Sequence, residues 1–355
     1  MNPAVSLILL PASTLYRAIT RARLTAYRRG LFKVSKLGAP VISVGNITTG
    51  GTGKTPLVEW VCRTIAAVSG KEMHEAKNVC VLTRGYGRSN PSAQVVVSDG
   101  TDLQANELEG GDEPLLLATN LKGIASVISN PNRVAAGEWA IANLQSEVFV
   151  LDDGFQHLRL FRDLDIVAID ATNPWGGGGL LPGGSLRESL GGLSRADCVV
   201  ITRTEQVADI ESMKAIVQRI VPEVPVLSSR MVTSGFRKVA GQAMEMTALQ
   251  SQPNGAFCGV GNPESFFQHL RHEGFKLEIT QTFPDHHRYK QSELDILVRS
   301  AQAKGVKSLV TTAKDATKLQ ALNLELPCYV LEIQISIDDE GRLVDLIRRT
   351  IFKSA

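Results

Sequence analysis

A glycine-rich loop near residue 50 carries the side chains best suited to phosphate chemistry. Its residues are Gly50, Gly51, Thr52, Gly53, Lys54 and Thr55. The loop follows the apolar run 41–45, which is typical of a buried strand, and precedes a segment with helical periodicity, 56–65. Such glycines let backbone N–H groups converge on phosphate oxygens, and the helix N-terminus adds its dipole. Lys54 would neutralise the β- and γ-phosphates of a nucleotide, and Thr55 would offer its hydroxyl to Mg²⁺. The pattern predicts a P-loop, although the strict motif would place glycine where Thr48 stands.

Two adjacent carboxylates lie about a hundred residues later. Asp152 and Asp153 come directly after the apolar run 148–151 and are followed by Gly154. Carboxylates at the carboxyl end of a parallel strand are expected to bind Mg²⁺ in a P-loop protein. An Asp-Asp-Gly sequence is also an ordinary turn. Its place after a buried strand favours a Walker B element.

Two further segments combine charge with turn residues. Arg84, Tyr86 and Arg88 lie in a glycine-rich loop after the apolar run that begins at Val79, and Asp112 and Glu113 precede a helical run. Phosphoryl transfer to an alcohol needs a group that accepts or orients the hydroxyl proton, and cations that hold the anions nearby. By spacing alone, Gly-Asp-Glu-Pro is a turn followed by a helix start. Their spacing alone therefore does not assign these two segments a catalytic role.

Taken together, the motifs resemble those of the tetraacyldisaccharide 4′-kinase (lipid A 4′-kinase) family over nearly the whole chain. The order of the set and the string Asp-Asp-Gly-Phe-Gln-His at 152–157 are more specific than any single motif. The other matching segments are the basic N-terminus, the P-loop, 84–88, 111–114, 130–133, 180–188, 283–286 and 311–315.

This resemblance implies ATP-dependent phosphorylation, with Mg²⁺, of the 4′-hydroxyl of a lipid A disaccharide 1-phosphate at the cytosolic face of the inner membrane. It implies that Asp112 is the catalytic carboxylate, supported by His286, with Lys54 at the phosphates. The implied metal ligands are Thr55, Glu113, Asp152 and Asp153. The residues implied on the acceptor side are Arg84, Tyr86, Arg133, Gln156, His157 and Arg187. Neither a nucleic acid nor an obligate protein partner is implied.

The sequence departs from the family pattern in one loop. The family usually has Leu-Leu-Pro-Ala-Gly-Pro-Leu-Arg-Glu, and this chain has Gly183 for the alanine and Ser185 for the second proline. Four glycines at 176–179 add to the freedom of the unfolded loop. We expect the loop to order on substrate binding, which makes the role of Arg187 the least certain of those implied.

The order of elements predicts an α/β fold. Apolar runs at 165–170 and 197–202 read as further buried strands that alternate with helical runs, and this alternation is typical of a doubly wound parallel sheet. Proline-rich and polar residues at 222–255 indicate a connection to a second, smaller α/β domain. The predicted division is an N-terminal basic segment at 1–40, a P-loop kinase domain at 41–225 and a C-terminal domain at 226–355 that completes the cleft.

Charge is distributed unevenly along the 355 residues. The net charge of +2 argues against a nucleic-acid partner, but residues 1–40 carry 7 of the 38 basic residues and none of the 36 acidic ones. The apolar start of this segment precedes its charges, which is the reverse of a secretory signal, and it is too short and interrupted to span a membrane. It is either an interfacial anchor for anionic lipid or a docked helix with a solvated basic face. A glycolipid kinase would favour the anchor.

The composition and the cysteines indicate the class of protein and its redox compartment. With 43% apolar and 21% charged residues, the chain can form a sizeable core. Five scattered cysteines without Cys-x-x-Cys spacing favour a reducing, cytosolic compartment.

Other functions fit the motifs less well. A switch ATPase of the partitioning or metal-insertion type would commonly add a lysine near Thr48, and a GTPase would need Asn-Lys-x-Asp. A membrane scaffold would leave the Arg-Gly-Tyr-Gly-Arg and Asp-Glu segments without a role.

Overall fold

A computed structural model of the chain describes residues 3–73, 77–239, 241–319 and 321–352. Buried runs rich in β-branched residues form most of its strands. Its helices are α1 (Pro3–Arg28), α2 (Lys54–Met73), α3 (Glu107–Gly110), α4 (Asp112–Asn120), α5 (Arg133–Leu144), α6 (Glu211–Ile220), α7 (Met246–Gln250), α8 (Pro263–His272), α9 (Gln291–Ala303), α10 (Ala313–Ala316) and α11 (Glu340–Ile351). Its strands are β1 (Val41–Asn46), β2 (Val79–Thr83), β3 (Val95–Ser98), β4 (Ala125–Ser129), β5 (Val148–Asp152), β6 (Leu164–Asp170), β7 (Cys198–Thr202), β8 (Val226–Lys238), β9 (Ala243–Met244), β10 (Asn254–Cys258), β11 (Leu277–Thr282), β12 (Ser308–Thr312) and β13 (Cys328–Ile337).

The strands form one continuous sheet. Its order is β11-β10-β12-β13-β8-β7-β6-β1-β5-β2-β4-β3, with β9 paired to β8. Strand β3 runs antiparallel to β4, and β8 runs antiparallel to β13 and β9, whereas the other neighbours are parallel. Helices cover both faces: α2, α4 and α11 pack on one face around β1, and α5 and α6 pack on the other. The predicted fold, a doubly wound, mostly parallel sheet, is confirmed.

Strand β8 joins the two parts of this sheet. The sequence pattern at 222–255 predicts a domain connection, and a 13-residue strand begins at Val226 within it. Residues 226–228 pair with β7, and residues 229–238 pair with β13. Because β13 runs opposite to β8, the carboxyl ends of β10 and β12 face the P-loop side of the first part. The boundaries of the three predicted domains stay a prediction.

The chain returns to its first half at the C-terminus. Leu343 and Ile347 of α11 are fully buried in the same core as Leu57 and Val61 of α2. A helix from the predicted C-terminal domain thus packs behind the P-loop helix. This packing ties residues 340–351 to the element that begins at Lys54.

The N-terminal segment forms a longer helix than its sequence indicates. Helix α1 spans 26 residues and contains Pro11. Residues 1–2 and the side chains of residues 3–10, which include the apolar start of the predicted anchor, lie outside the described part of the chain. Within the described part, none of the helices is long and apolar enough to cross a membrane.

Close backbone contact makes Gly45 a sensitive position next to the P-loop. A Cβ atom at residue 45 would lie 2.5 Å from Cβ and 2.7 Å from the backbone nitrogen of Phe155. We expect Gly45→Ala to lower the free energy of unfolding by about 2 kcal/mol, because overpacking against fixed backbone costs roughly that much. Urea denaturation measures this change.

The matched control for this variant is Gly38→Ala, since a Cβ at residue 38 meets nothing within 4 Å. The control should unfold at the urea concentration of the parent protein. Equal midpoints for all three proteins would contradict the packing argument.

Candidate active site

The P-loop connects β1 to α2 with the geometry that phosphate binding needs. Gly50 and Gly53 have φ angles of +104° and +75°, a region that favours glycine. Thr52 is fixed from two sides: Asn46 Nδ2 donates to its hydroxyl at 2.9 Å, and the Thr202 hydroxyl donates to its carbonyl at 3.0 Å. The residues predicted to bind the nucleotide, Gly50, Gly51, Thr52, Gly53, Lys54 and Thr55, all line one cavity of about 570 Å³.

The adjacent carboxylates lie beside this loop and have different surroundings. Lys54 Nζ lies 3.6 Å from Asp153 Oδ1, and Arg187 Nη1 donates to Asp153 Oδ2 at 2.6 Å. Burial alone would raise the pKa of Asp153, but these two cations hold it below its usual range. Asp152 accepts a hydrogen bond from Thr83, and burial, together with the charges of Glu113 and Asp153, raises its pKa. The two carboxylates therefore differ: two cations lie close to Asp153, whereas Asp152 lies beside further negative charge.

A second charged cluster forms across the cleft. Asp112, at the start of α4, is 4% exposed. Its carboxylate accepts a hydrogen bond from His286 Nδ1, with distances of 3.0 and 2.9 Å to the two oxygens, and Lys318 Nζ lies 2.8 Å from Oδ2. Lys314 Nζ lies 3.9 Å from the same oxygen. Burial would raise the pKa of Asp112, but His286 and the two ammonium groups hold it well below its usual range.

The proton positions in this cluster follow from its charges. An ionised Asp112 only accepts hydrogen bonds, so His286 carries its proton on Nδ1. The hydrogen bond to Asp112 raises the pKa of His286. Nε2 of the ring lies 3.4 Å from Lys314 Nζ. With the proton on Nδ1, the neutral form of the imidazole presents Nε2 toward the cleft as an acceptor.

A second cavity of about 510 Å³ lies next to the nucleotide cavity. Tyr16, Thr20 and Arg23 of α1 form part of its wall. Four side chains line both cavities: Arg84, Tyr86, Arg187 and His286. The two cavities therefore meet at these residues.

The predicted acceptor residues fall into two groups. Arg84, Tyr86, Gln156 and Arg187 line the second cavity. Arg84 donates to the Tyr86 hydroxyl at 3.0 Å, and Gln156 donates to Asn46 O and to Glu188 at 2.8 Å. Arg133 and His157 are not among the lining residues of either cavity. Arg133 is 5% exposed and interacts electrostatically with Asp152 and Asp153, so it lies behind the cavity surface near the carboxylates.

Asp112 also lies behind the cavity surface, and His286 is the member of the pair that reaches it. Glu113, Asp152, Asp153 and Thr55, the predicted metal ligands, line the nucleotide cavity. Among the described residues, no three His, Cys, Asp or Glu side chains are arranged to hold a metal ion by themselves.

Lys314 and Lys318 are two site residues that the sequence alone does not indicate. Both occur in or directly after the motif Thr-Thr-Ala-Lys-Asp at 311–315, which carries part of the family resemblance. The ammonium groups of these lysines lie beside Asp112 and Glu113, which belong to the first half of the chain, so only the fold brings them together. The family motif at 311–315 was the sequence feature that could have indicated Lys314.

The glycine loop is closely packed against the N-terminal helix. The Ser13 hydroxyl donates to Leu180 O at 3.1 Å and accepts from Gly183 N at 2.9 Å. A Cβ on Gly184 would lie 2.1 Å from Gly179 O, which excludes any side chain there. The loop thus packs closely against α1, and its closure on substrate stays a prediction.

A P-loop on a doubly wound sheet, with an Asp–His pair facing it and an arginine-lined cavity alongside, defines a P-loop kinase. The chain matches the family profile described as tetraacyldisaccharide-1-P 4′-kinase over residues 5–351. It is 39% identical to the tetraacyldisaccharide 4′-kinase of Geobacter metallireducens over 99% of this chain and 100% of that one. It is 37% identical to the enzyme of the same name from Pelobacter propionicus over 98% and 92% of the two chains.

A solved structure agrees with these relatives. The crystal structure described as an "apo" form of LpxK from Aquifex aeolicus in complex with ATP superposes with a TM-score of 0.77 at 31% identity, covering 98% of this chain and 100% of that one. The chain belongs to the tetraacyldisaccharide 4′-kinase family. The predicted family and enzyme class are confirmed, and membership decides against the switch ATPase and the scaffold.

The surroundings of the buried His157 side chain should make the protein less stable to unfolding at acid pH. Burial, with the cations of Arg133 and Arg162, lowers the pKa of His157 to about 3, from an ordinary value of 6.5. Between these two values the unfolded chain binds a proton that the folded chain does not, so the free energy of unfolding falls as the pH is lowered. We expect His157→Gln to reduce this loss.

Urea unfolding at several pH values between 7 and 4 measures the effect. The variant should lose less stability per pH unit than the parent protein across the window. Identical slopes for the two proteins would show that His157 protonates equally in both states.

Proposed function

We propose that this chain transfers the γ-phosphoryl group of ATP to the 4′-hydroxyl of a lipid A disaccharide 1-phosphate. The observation that carries this proposal is the junction of the two cavities at Arg84, Tyr86, Arg187 and His286. Nucleotide phosphates on the P-loop and a sugar in the second cavity would meet there. Membership of the kinase family supplies the reaction class.

In the proposed reaction, the acceptor oxygen forms a bond to the γ-phosphorus while the bond from that phosphorus to the leaving ADP oxygen breaks. The hydroxyl proton passes to the Asp112–His286 pair. His286 offers the unprotonated Nε2 to the cleft, and Asp112 orients the ring and stabilises the imidazolium that forms. Lys54 and the P-loop N–H groups stabilise the charge on the phosphates.

The oxygen donors near the P-loop suit Mg²⁺. This ion commonly binds one or two carboxylates and completes its shell with substrate phosphates and water, so a full protein cage is not required. The raised pKa of Asp152 beside two other carboxylates marks a place where a cation would relieve repulsion. Thr55, Glu113, Asp152 and Asp153 would hold the ion, which would supply charge neutralisation at the β- and γ-phosphates.

The acceptor cavity has features that suit a phosphorylated sugar. Arginine binds phosphate through a planar pair of N–H donors. Arg84 and Arg23 line the cavity and have no carboxylate partner within ion-pair distance among the described residues. Arg187 and Arg195 are instead paired with Asp153 and Glu188. In this proposal Arg84, Tyr86, Gln156 and Arg187 contact the acceptor directly. Arg133 and His157 act from behind the carboxylates and the cavity wall.

The N-terminal helix supports a position at an anionic membrane surface. Arg17, Arg21, Arg28 and Arg29 are exposed, as are Leu15, Ile19, Leu31 and Phe32. Exposed cations beside apolar groups favour binding in the interface of an anionic bilayer. We place the enzyme at the cytosolic face of the inner membrane, where such an acceptor lipid would be available.

The catalytic pair can be tested by substitution. We expect Asp112→Asn and His286→Ala each to lower kcat by roughly 10²- to 10⁴-fold, because general acid–base catalysis contributes about that much. The double variant should be little worse than either single variant, since the two groups act as a unit. The assay follows labelled γ-phosphate from ATP onto lipid A disaccharide 1-phosphate.

Lys54→Met is the companion variant, which should lose nucleotide binding as well as turnover. Unaltered transfer by Asp112→Asn would rule out the assigned role. Hydrolysis of ATP without transfer to any glycolipid acceptor by the parent enzyme would contradict the proposed function itself.

Membrane binding can be tested separately. Replacing Arg17, Arg21, Arg28 and Arg29 by glutamine should weaken binding to vesicles rich in phosphatidylglycerol by about 10²- to 10³-fold, since each of the four cations contributes about 1 kcal/mol near such a surface. Added salt should weaken binding of the parent protein. Sedimentation with vesicles measures both effects.

The control for this variant replaces Arg342, Arg348 and Arg349 on α11, a basic helix that packs on α2. It should bind vesicles like the parent protein. Equal loss in both variants would assign the binding to total charge and not to α1.

A further inference from the structure

Lys314 lies in the nucleotide cavity on the side opposite the P-loop. It follows the carboxyl end of β12, as the second residue of α10. Its side chain is 13% exposed and lines the same cavity as Gly50–Thr55. The cavity therefore has a lysine on each side: Lys54 from the first half of the sheet and Lys314 from the second.

Carboxylates hold two of the three Lys314 donors, and the third makes a weaker contact. Its ammonium group donates to Glu113 at 3.1 Å and to Asp285 at 3.0 Å. An ammonium group has three N–H donors. The remaining contacts, at 3.4 Å to His286 Nε2 and 3.9 Å to Asp112 Oδ2, are long for a charged donor. The third N–H faces His286 Nε2 in the longest of the three contacts, and an anion that enters the cavity would compete with the ring for this donor.

The neighbours of Lys314 place it where the transferred group must pass. It contacts His286, whose ring reaches the junction of the two cavities, and Glu113, which faces the P-loop side. Three carboxylates surround its ammonium group, at 3.1 Å from Glu113, 3.0 Å from Asp285 and 3.9 Å from Asp112. A fixed cation near the reacting group stabilises charge on the equatorial phosphate oxygens.

We propose that Lys314 is a further catalytic residue, which contacts the γ-phosphoryl group of ATP from the side opposite Lys54. The inference rests on the proposed use of ATP at this site but not on the identity of the acceptor. Lys54 spans the β- and γ-phosphates, whereas Lys314 reaches only the γ-phosphoryl group. Loss of Lys314 should therefore weaken the binding of ATP and leave the binding of ADP nearly unchanged.

The test compares binding of β,γ-methylene-ATP with binding of ADP by isothermal titration calorimetry. We expect Lys314→Met to weaken binding of the ATP analogue by about 10- to 100-fold, the effect of losing one charge-assisted hydrogen bond. Binding of ADP should change by less than about twofold, because the contact to the γ-phosphoryl group does not exist in that complex. Lys314→Arg should recover part of the affinity for the analogue.

Lys318→Met is the matched control, since Lys318 lies four residues away, is 3% exposed and is absent from the cavity lining. It removes one positive charge at a similar place and should change both affinities by the same factor. Lys54→Met should weaken both nucleotides. If Lys314→Met weakens the analogue and ADP equally, the proposed contact is wrong.

Folding and function are separated in the same experiment. Should Lys314→Met fail to unfold cooperatively in urea, Lys314→Gln replaces it, with the same expected difference between the two nucleotides. A parent enzyme that binds the analogue but transfers no phosphate to the lipid acceptor would contradict the proposed function and leave the contact of Lys314 intact. A Lys314→Gln variant that binds both nucleotides like the parent would overturn the contact.

Discussion

Ionised carboxylates in the interior of a protein need cations close to them, and Asp112 receives its cations from the other half of the chain. Its side chain lies on α4 of the first half, whereas His286, Lys314 and Lys318 follow the strands of the second half. An unpaired buried charge costs several kcal/mol, even after relaxation. The two halves must therefore meet at this point if Asp112 is to remain charged. The same contact brings the His286 ring to the junction of the two cavities.

The continuous sheet explains how this contact is held. Strand β8 pairs with both parts, and the antiparallel pairing of β8 with β13 turns the carboxyl ends of β10 and β12 toward the P-loop. Asn262, which caps α8 after β10, donates to Asp170 at 3.3 Å and to Thr172 at 3.1 Å at the end of β6. Backbone pairing on one side of the cleft and polar contacts on the other thus set the distance between Lys54 and Lys314.

The sequence predicts those features that depend on local pattern. Buried strands such as β1, β5 and β7 are apolar runs, and the P-loop has glycines where the backbone requires them. The sequence does not predict β8 as a strand, because its irregular mixture of buried and exposed residues follows a Val-Pro-Glu-Val-Pro stretch that indicates a loop. It places Asp112 and His286 together only through the family resemblance. The roles of Lys314 and Lys318 could not be derived locally, since the carboxylates that they share, Glu113 and Asp112, lie in the first half of the chain.

The N-terminal helix shows why a charged segment need not have a single role. Ser13, Tyr16, Thr20 and Arg23 recur at spacings of three and four, so they share one face. On that face Tyr16 donates to Arg187 O at 3.0 Å and Arg23 donates to Gln156 O at 3.3 Å. The exposed Arg17, Arg21 and Arg28 recur at spacings of four and seven on a neighbouring face. The first face packs against the rest of the protein, and the basic face remains exposed to solvent or lipid. One helix can therefore pack against the protein and bind a membrane surface at the same time. Because the packed face of α1 also lines the second cavity, lipid bound to the basic face would lie next to the wall of that cavity.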